Sequence, residues 1–166
     1  YVADVYRGKV KAERSFFNLL LYLSMFPKMM QGPIVRYEQV ARQLMDRRTT
    51  PRAAFEGAQR FIIGLAKKVL LADYAGKVVA SLSTGGGNGT FVGAWLAALM
   101  FMFQIYFDFS GYSDMAIGLG RIFGFRYCEN FDLPYISTSI TEFWRRWHMS
   151  LGSFFRDYVY IPLGGN

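Results

Sequence analysis

The sequence predicts a helical integral membrane protein with spanning, re-entrant and interfacial helices. Hydrophobic residues occupy 52% of its 166 positions and aromatic residues 18%, whereas only 19% are charged. One small core cannot bury that much apolar surface, so the excess indicates contact with lipid. Two further observations support this fold class: a long uncharged segment in the middle of the chain, and a basic segment of helical periodicity before it.

The first apolar segment, Ser15–Phe26, is too short to cross a bilayer. As a helix its length would be about 18 Å, and it runs into Pro27. Basic residues flank it on both sides. We therefore expect a re-entrant or interfacial helix, which is tolerated in a membrane only where its broken backbone is buried in protein.

The positive charge of the chain is concentrated in the block Arg36–Lys68, which holds eight basic and three acidic residues. Short basic loops of membrane proteins lie mostly on the cytoplasmic side, so this block indicates the cytoplasmic face. Nucleic acid is not an expected partner, because apolar segments flank the block and no nucleic-acid-binding motif is present.

A basic amphipathic helix is predicted inside this block. Thr50 can cap its first turn and Pro51 fits the first helical position, where a missing N–H costs nothing. Apolar residues then recur at helical spacing as far as Ala72, with charged residues on the other side. We expect the helix to end at Asp73 and to lie in the cytoplasmic interface or to pack as a buried element.

A glycine-rich loop, Ser83–Thr90, separates that helix from the predicted membrane span. It lacks the Gly-Lys-Ser/Thr ending of a phosphate-binding loop. The span is Phe91–Phe107, which has no charged residue and would cover roughly 25 Å as a helix.

Two carboxylates follow the predicted span, at or just inside the membrane boundary. Asp114, together with Ser113, can cap a separate helix over residues 115–123. Asp108 has no such local role, and it either pairs with an arginine such as Arg121 or Arg126 or serves function. The glycines at 118 and 120 are expected to let helices pack closely.

The protein's only histidine, His148, lies in the predicted C-terminal helix. Ser139 and Glu142 form a capping box, so this helix should begin near Ile140. Helical counting places Trp144 and His148 on one apolar face, where desolvation favours the neutral imidazole that a general base requires. The alternative interpretation of His148 is a packed, hydrogen-bonded core residue.

Charged residues surround that histidine in sequence. Glu142 and Arg146 form an i,i+4 pair, whereas Arg145 and Arg156 remain free to bind an anion or a carboxylate, with Asp157 as a possible partner. The residues that follow, 158–161, have strand-like composition before a proline and two glycines end the segment.

The cysteine count and the ends of the chain set further limits. Cys128 is the only cysteine, which excludes an intrachain disulfide and any multi-cysteine metal site, and no metal is expected. The first residue is Tyr1 and the last residues form a Leu-Gly-Gly-Asn turn. We therefore expect residues 1–166 to be a single partial domain of a larger protein, truncated at both ends.

Several long motifs resemble the membrane-bound O-acyltransferase family, in the branch that includes alginate O-acetyltransferases. They are FPKMMQGPIVRY, GLAKKVLLAD, YFDFSGYSDMAIGLGRIFGF, ENFDLPYIS and TEFWRRWHMSLGSFFRDYVYIPLGGN, in that order. The resemblance covers almost the whole chain. It implies an all-α, polytopic fold with a tunnel or funnel through the bacterial inner membrane.

The resemblance also implies an activity. Members of this branch pass an acyl group, typically acetyl, from a cytoplasmic thioester donor such as acetyl-CoA to hydroxyls of an exported polysaccharide or cell-wall polymer, often with periplasmic partner proteins. His148 matches the first of two signature histidines, and the second is expected beyond Asn166. Such acyl transfer requires neither a metal nor a redox cofactor.

The hypothesis for the site is that His148 orients substrate or shares proton transfer. The supporting candidates are Asp73, Asp108, Arg145 and Arg156. Asp73 closes the motif GLAKKVLLAD, although a solvated interfacial residue would also fit there. Two other classes remain open: a transporter or channel subunit, which also places charges at membrane depth, and a non-catalytic scaffold of a polysaccharide export complex.

Overall fold

The computed structural model describes residues 1–29, 32–84 and 89–165, and every regular element among them is helical. The eight α-helices are α1 (Val2–Tyr6), α2 (Phe16–Ser24), α3 (Tyr37–Met45), α4 (Pro51–Ala66), α5 (Asp73–Thr84), α6 (Phe91–Ile122), α7 (Ile140–Arg146) and α8 (Met149–Phe155). The described residues also form two 3₁₀ turns, Phe26–Lys28 and Pro134–Ile136, and two π-helical segments, Lys67–Ala72 and Arg156–Tyr160.

An antiparallel hairpin of two long helices forms the largest part of the fold. Its first arm is α4, the π-helical segment and α5, which continue one another over roughly 50 Å, and its second arm is α6. Thr50 caps the first arm by accepting a hydrogen bond from the Ala53 N–H at 3.1 Å, as predicted. The predicted end at Asp73 is wrong, because the helix continues to Thr84 while Gly76 packs against the Gln104 amide.

Glycines set the distance between the two arms. A methyl group added at Gly64 would lie 2.5 Å from the carbonyl oxygen of Gly111, and one added at Gly57 would lie 2.7 Å from that of Gly118. The reciprocal additions at Gly111 and Gly118 would be equally close. Only glycine permits this backbone approach, so the expectation of close packing at Gly118 is confirmed.

The second arm, α6, differs between its two halves. Its first half carries exposed aromatic side chains such as Trp95 and Phe101, whereas the small and polar residues between Ser110 and Gly120 are mostly buried against the first arm. Among the described residues, α6 is the one helix long and apolar enough to cross a membrane. It contains the predicted span and extends well beyond it.

The continuity of α6 corrects the prediction for Asp114. No new helix begins there, and Asp114 lies in the middle of α6 with its side chain paired across the hairpin. Residues 85–88 of the predicted glycine-rich loop lie outside the described part of the chain. At the end of that loop, Thr90 caps α6 by accepting a hydrogen bond from the Gly93 N–H.

The hydrophobic core lies beside the hairpin and joins α2 and α3 to the end of α6. Its nine buried members are Tyr22, Met25, Val35, Tyr37, Val40, Leu44, Ile117, Phe125 and Tyr127. The predicted apolar segment Ser15–Phe26 contains α2, which ends at Ser24 before the 3₁₀ turn, whereas α3 was not predicted. Placement of α2 in or along a membrane stays a prediction.

The two ends of the described chain contact each other. The Tyr158 hydroxyl lies 2.6 Å from both carboxylate oxygens of the buried Asp4, and Arg7 donates to the Asp157 carbonyl oxygen. Tyr158 belongs to the π-helical segment Arg156–Tyr160, so the strand-like interpretation of residues 158–161 is wrong. The helical backbone simply continues from α8, which overrides the local strand preference.

Candidate active site

His148 lies at a break between two short helices, and this corrects the prediction of one continuous helix. The capping box is present at the start of α7, where Ser139 accepts from the Glu142 N–H at 3.1 Å. However, α7 ends at Arg146, and His148 has φ 45° and ψ 53°, in the left-handed region. Such a conformation costs a non-glycine residue roughly 1–2 kcal/mol, so neighbouring contacts must maintain it.

Those contacts come from the loop over residues 130–132. The Asp132 N–H of this loop donates to the Arg146 carbonyl oxygen at 3.0 Å. In a continuous helix, that oxygen would accept from the Ser150 N–H instead. The Met149 N–H donates instead to the Asn130 carbonyl oxygen at 2.9 Å, and Ser150 donates to Asn130 Oδ1. The loop therefore takes the hydrogen bonds on both sides of the break, and helical face counting does not apply across it.

The imidazole of His148 lies against aromatic side chains, as expected. Its ring centroid is 4.6 Å from that of Phe109 in an edge-to-face arrangement. Phe109 in turn contacts Phe131 and Trp147, with centroid distances of 5.0 and 6.4 Å. Partial burial lowers the pKa of His148 below its ordinary value, which favours the neutral ring. A neutral imidazole can accept a proton.

Asp73 and Asp108, two of the predicted supporting residues, meet at one lysine. Lys68 Nζ lies 2.9 Å from Asp73 Oδ1 and 2.6 Å from Asp108 Oδ1. The predicted partners of Asp108 are therefore wrong, because Arg121 pairs with Glu56. The three members of the Lys68 cluster are each more than 40% exposed, so solvent weakens their attraction.

A second charged cluster, which was not predicted from the sequence, forms around Asp114. Arg60 Nη2 lies 2.8 Å from Asp114 Oδ1, and Lys67 Nζ lies 2.6 Å from Asp114 Oδ2. Arg60 also donates to both carboxylate oxygens of Glu129. The signal was present in the sequence, since Arg60 and Lys67 are seven residues apart and therefore share one face of the helix.

Arg145 and Arg156, the remaining supporting candidates, lie on either side of the break and differ in their partners. Arg145 is exposed and forms no ion pair with any residue that the structure describes. Arg156 Nε lies 2.8 Å from Asp157 Oδ1, as the sequence suggested, and Asp157 also pairs with Arg36 at 2.7 Å. The two guanidinium groups lower the pKa of Asp157 to about 2. The predicted pair of Glu142 and Arg146 is confirmed.

A polar cavity of about 170 Å³ lies between the hairpin and the 129–133 loop. The Asp114 cluster forms one part of its lining, and the buried Ser110, Ser113 and Asn130 form another. Asn130 joins this cavity to the break, because the same residue binds Met149 and Ser150. The candidate active site therefore consists of His148, its aromatic neighbours and this cavity.

The chain is similar to a known protein family and to several named proteins. The model of the MBOAT, or membrane-bound O-acyltransferase, family matches residues 11–166. The chain is 51% identical over all 166 residues to a probable alginate O-acetylase of Pseudomonas syringae pv. tomato, of which it covers 32%. It is 41% identical over 154 residues to a peptidoglycan O-acetyltransferase of Helicobacter pylori, matching 91% of this chain and 29% of that protein.

A more distant relative extends the range of acyl groups. The chain is 31% identical over 157 residues to a teichoic acid D-alanyltransferase of Bacillus subtilis, matching 93% of this chain and 40% of that protein. The chain thus spans about a third of the length of the alginate and peptidoglycan relatives. Because the family match extends over nearly all of its residues, the chain belongs to the membrane-bound O-acyltransferase family.

Proposed function

We propose that the protein containing this chain transfers an acyl group from a thioester donor to hydroxyls of an exported polysaccharide or cell-wall polymer. The observation that carries this proposal is the 51% identity, over the whole chain, with a probable alginate O-acetylase. The three relatives differ in their polymers, but each name describes transfer of an acyl group to one. Acetylation of an alginate-type polysaccharide is therefore the specific reaction we propose.

The chemistry needs a group that removes the hydroxyl proton and donors that stabilise the oxygen of the acyl carbonyl. His148 supplies a neutral imidazole at a backbone position that the 130–132 loop holds fixed. We assign it the orientation of substrate or a share in proton transfer, together with a second histidine beyond Asn166. Sharing the role between two histidines is compatible with the length of this chain, which covers about a third of its relatives.

The supporting residues have separate roles in this proposal. Asp73 and Asp108 hold Lys68 between the two arms of the hairpin, and so act as positioning residues. Arg145 is available for an anionic group of the donor, such as the phosphates of acetyl-CoA. Arg156 acts through Asp157, which links it to Arg36.

The location follows from the same proposal. The basic block over residues 36–68 faces the cytoplasm, where the thioester donor is made, and the polymer is modified on the other side of the bacterial inner membrane. We propose a multi-pass protein in that membrane, with periplasmic partner proteins in the acetylation of the polymer. The exposed apolar first half of α6 supports contact with lipid.

Replacing His148 tests the proposal. In the full-length protein, we expect His148→Ala to lower the rate of acetyl transfer by about 10²–10⁴-fold, the usual contribution of a general acid or base. The measurement is the release of free thiol from acetyl-CoA with a polysaccharide acceptor, in purified protein of normal expression. Ser81→Ala is the control, because this exposed hydroxyl lies on α5 and bonds only to a helical carbonyl oxygen.

Two results would contradict the proposal in different ways. A wild-type full-length protein that consumes no acyl thioester would refute the acyltransferase function. An active His148→Ala variant with the wild-type rate would remove only the role of His148.

A further inference from the structure

Three buried polar atoms of the cavity-lining residues have no hydrogen-bond partner in the described part of the chain: the hydroxyl oxygens of Ser110 and Ser113, and Nδ2 of Asn130. All three residues line the cavity, and each side chain is at least 98% buried. An unpaired buried polar group costs about 1–3 kcal/mol, so three of them around one space are unusual in a folded protein. The pattern is expected where a ligand supplies the missing partners.

The free hydrogen-bonding positions are mainly donors. Asn130 Nδ2 carries two N–H groups, while its Oδ1 is already occupied by Ser150. Lys67 uses one of its three N–H groups on Asp114, and each serine hydroxyl can donate once. A ligand in this cavity must therefore accept hydrogen bonds more than it donates them, as a carbonyl oxygen does.

The fixed charges of the lining favour a neutral ligand. Arg60 and Lys67 are balanced by Asp114 and Glu129, with which they are paired. The further carboxylate of the lining, Asp132, is 63% exposed and faces Arg146. Net attraction for an anion is therefore absent from these lining residues.

Size and access restrict the ligand further. The volume of about 170 Å³ equals that of about six water molecules in the liquid, which is enough for a short acyl group. The cavity can be entered where the side chains of Glu129 and Asp132 are more than half exposed. On its inner side, Asn130 contacts the residue that follows His148.

We propose that this cavity binds the carbonyl oxygen of a short acyl group during its transfer, with Ser110, Ser113 and Asn130 as its hydrogen-bond donors. This inference rests on the proposed acyltransferase function. It adds a binding site for the reacting carbonyl that lies on the hairpin and the 130–132 loop. His148 then acts beside this site.

The role of the donors follows from the reaction. The acceptor hydroxyl oxygen forms a bond to the acyl carbon, the carbon–sulfur bond of the thioester breaks, and the hydroxyl proton passes through a base to the leaving thiolate. Negative charge develops on the carbonyl oxygen during this step. Donors fixed in place before the reaction stabilise that charge without having to reorganise.

Removing the two serine hydroxyls is the decisive experiment. In the full-length protein, Ser110→Ala/Ser113→Ala should lower kcat for transfer from acetyl-CoA by at least about 10²-fold, the loss typical of one such donor. The thermal midpoint should stay equal or rise, because the substitution removes unpaired hydroxyls and alanine is the better helix former. KM for the acceptor should not change, and the control Ser81→Ala should behave as wild type.

A second measurement does not depend on turnover. The infrared carbonyl band of ¹³C-labelled acetyl donor, bound to wild-type protein, should lie at lower frequency than that of free donor, and it should return towards the free value in the double variant. An unshifted band, or a double variant with the wild-type kcat, would overturn this inference while leaving the acyltransferase function intact. An inactive wild-type protein would instead refute the function on which the inference rests.

Discussion

The helical hairpin and the broken helix at His148 are stabilised in opposite ways. In the hairpin, the absence of side chains at Gly57, Gly64, Gly111 and Gly118 lets two long regular helices touch along their backbones. At the break, backbone groups of Asn130 and Asp132, together with the buried Asn130 side chain, replace the helical hydrogen bonds and hold a strained residue. The hairpin is thus a scaffold of regular helices, whereas the backbone at His148 is irregular because residues of another segment hold it so.

The largest effect on stability is expected in the hairpin. Gly64→Ala would place a methyl group 2.5 Å from the Gly111 carbonyl oxygen. This oxygen belongs to the backbone and cannot move aside as a side chain could. The helices would have to separate, so we expect a loss of about 3 kcal/mol in the free energy of unfolding. Thermal unfolding of the full-length protein in detergent measures this. Gly89→Ala is the control, because nothing lies within 4 Å of the added carbon there; equal midpoints for both variants would contradict close glycine packing.

A smaller loss of stability is expected when the hydrogen bonds from the Asn130 side chain to the break are removed. Asn130→Ala leaves the N–H and hydroxyl of Ser150 without their acceptor in a buried site, at a cost of about 2 kcal/mol. Transfer activity should fall more than stability alone explains, since His148 would lose its fixed position. Denaturant unfolding and acetyl transfer, measured on the same preparation, distinguish the two effects.

The matched control for that variant is Gln43→Ala. Gln43 also accepts a hydrogen bond from a loop N–H, that of Arg126, but it does so at an exposed position. We expect its loss to be below about 1 kcal/mol with unchanged activity. If Gln43→Ala reduced activity as much as Asn130→Ala, support of the break by Asn130 would not be specific.

The smallest effect concerns His148, where a glycine variant should be more stable than an alanine variant, although alanine is usually the more stable of the two in a helix. At His148, glycine adopts the left-handed conformation without the steric cost that alanine retains. We expect His148→Gly to be more stable than His148→Ala by about 1 kcal/mol, although both lose the imidazole. Thermal unfolding of the two variants tests this. Greater stability of the alanine variant would mean that the backbone at His148 is not held in that region.

Local chemistry made the helix ends predictable. Thr50 with Pro51, and Ser139 with Glu142, each carry the whole signal for a helix start within a few residues. The break at His148 carries no such signal, because it depends on hydrogen bonds with loop residues 14 to 20 positions earlier in the chain. A strong capping box followed by helix-forming residues therefore predicts one helix where two exist.

The sequence indicated which charged residues matter, but it did not identify the residues that pair with them. For Asp108, pairing with an arginine was one of two expectations, and the partner is instead Lys68 on the other arm. Asp114 was interpreted as a helix cap because its partners, Arg60 and Lys67, are about 50 residues away in sequence. Polarity in an apolar segment thus indicates that a partner exists, whereas only the register of the hairpin identifies it.

The π-helical segment Lys67–Ala72 determines how far α5 is rotated about the helix axis relative to α4. Its wide turn accommodates the equivalent of one inserted residue, and each residue of an α-helix corresponds to a rotation of about 100°. If the same residues formed a regular α-helix instead, α5 would be rotated about its axis by that angle, which would turn Gly76 away from Gln104 while leaving Gly57 and Gly64 in place. A single inserted position thus lets one helix keep two separate stripes of contact with α6.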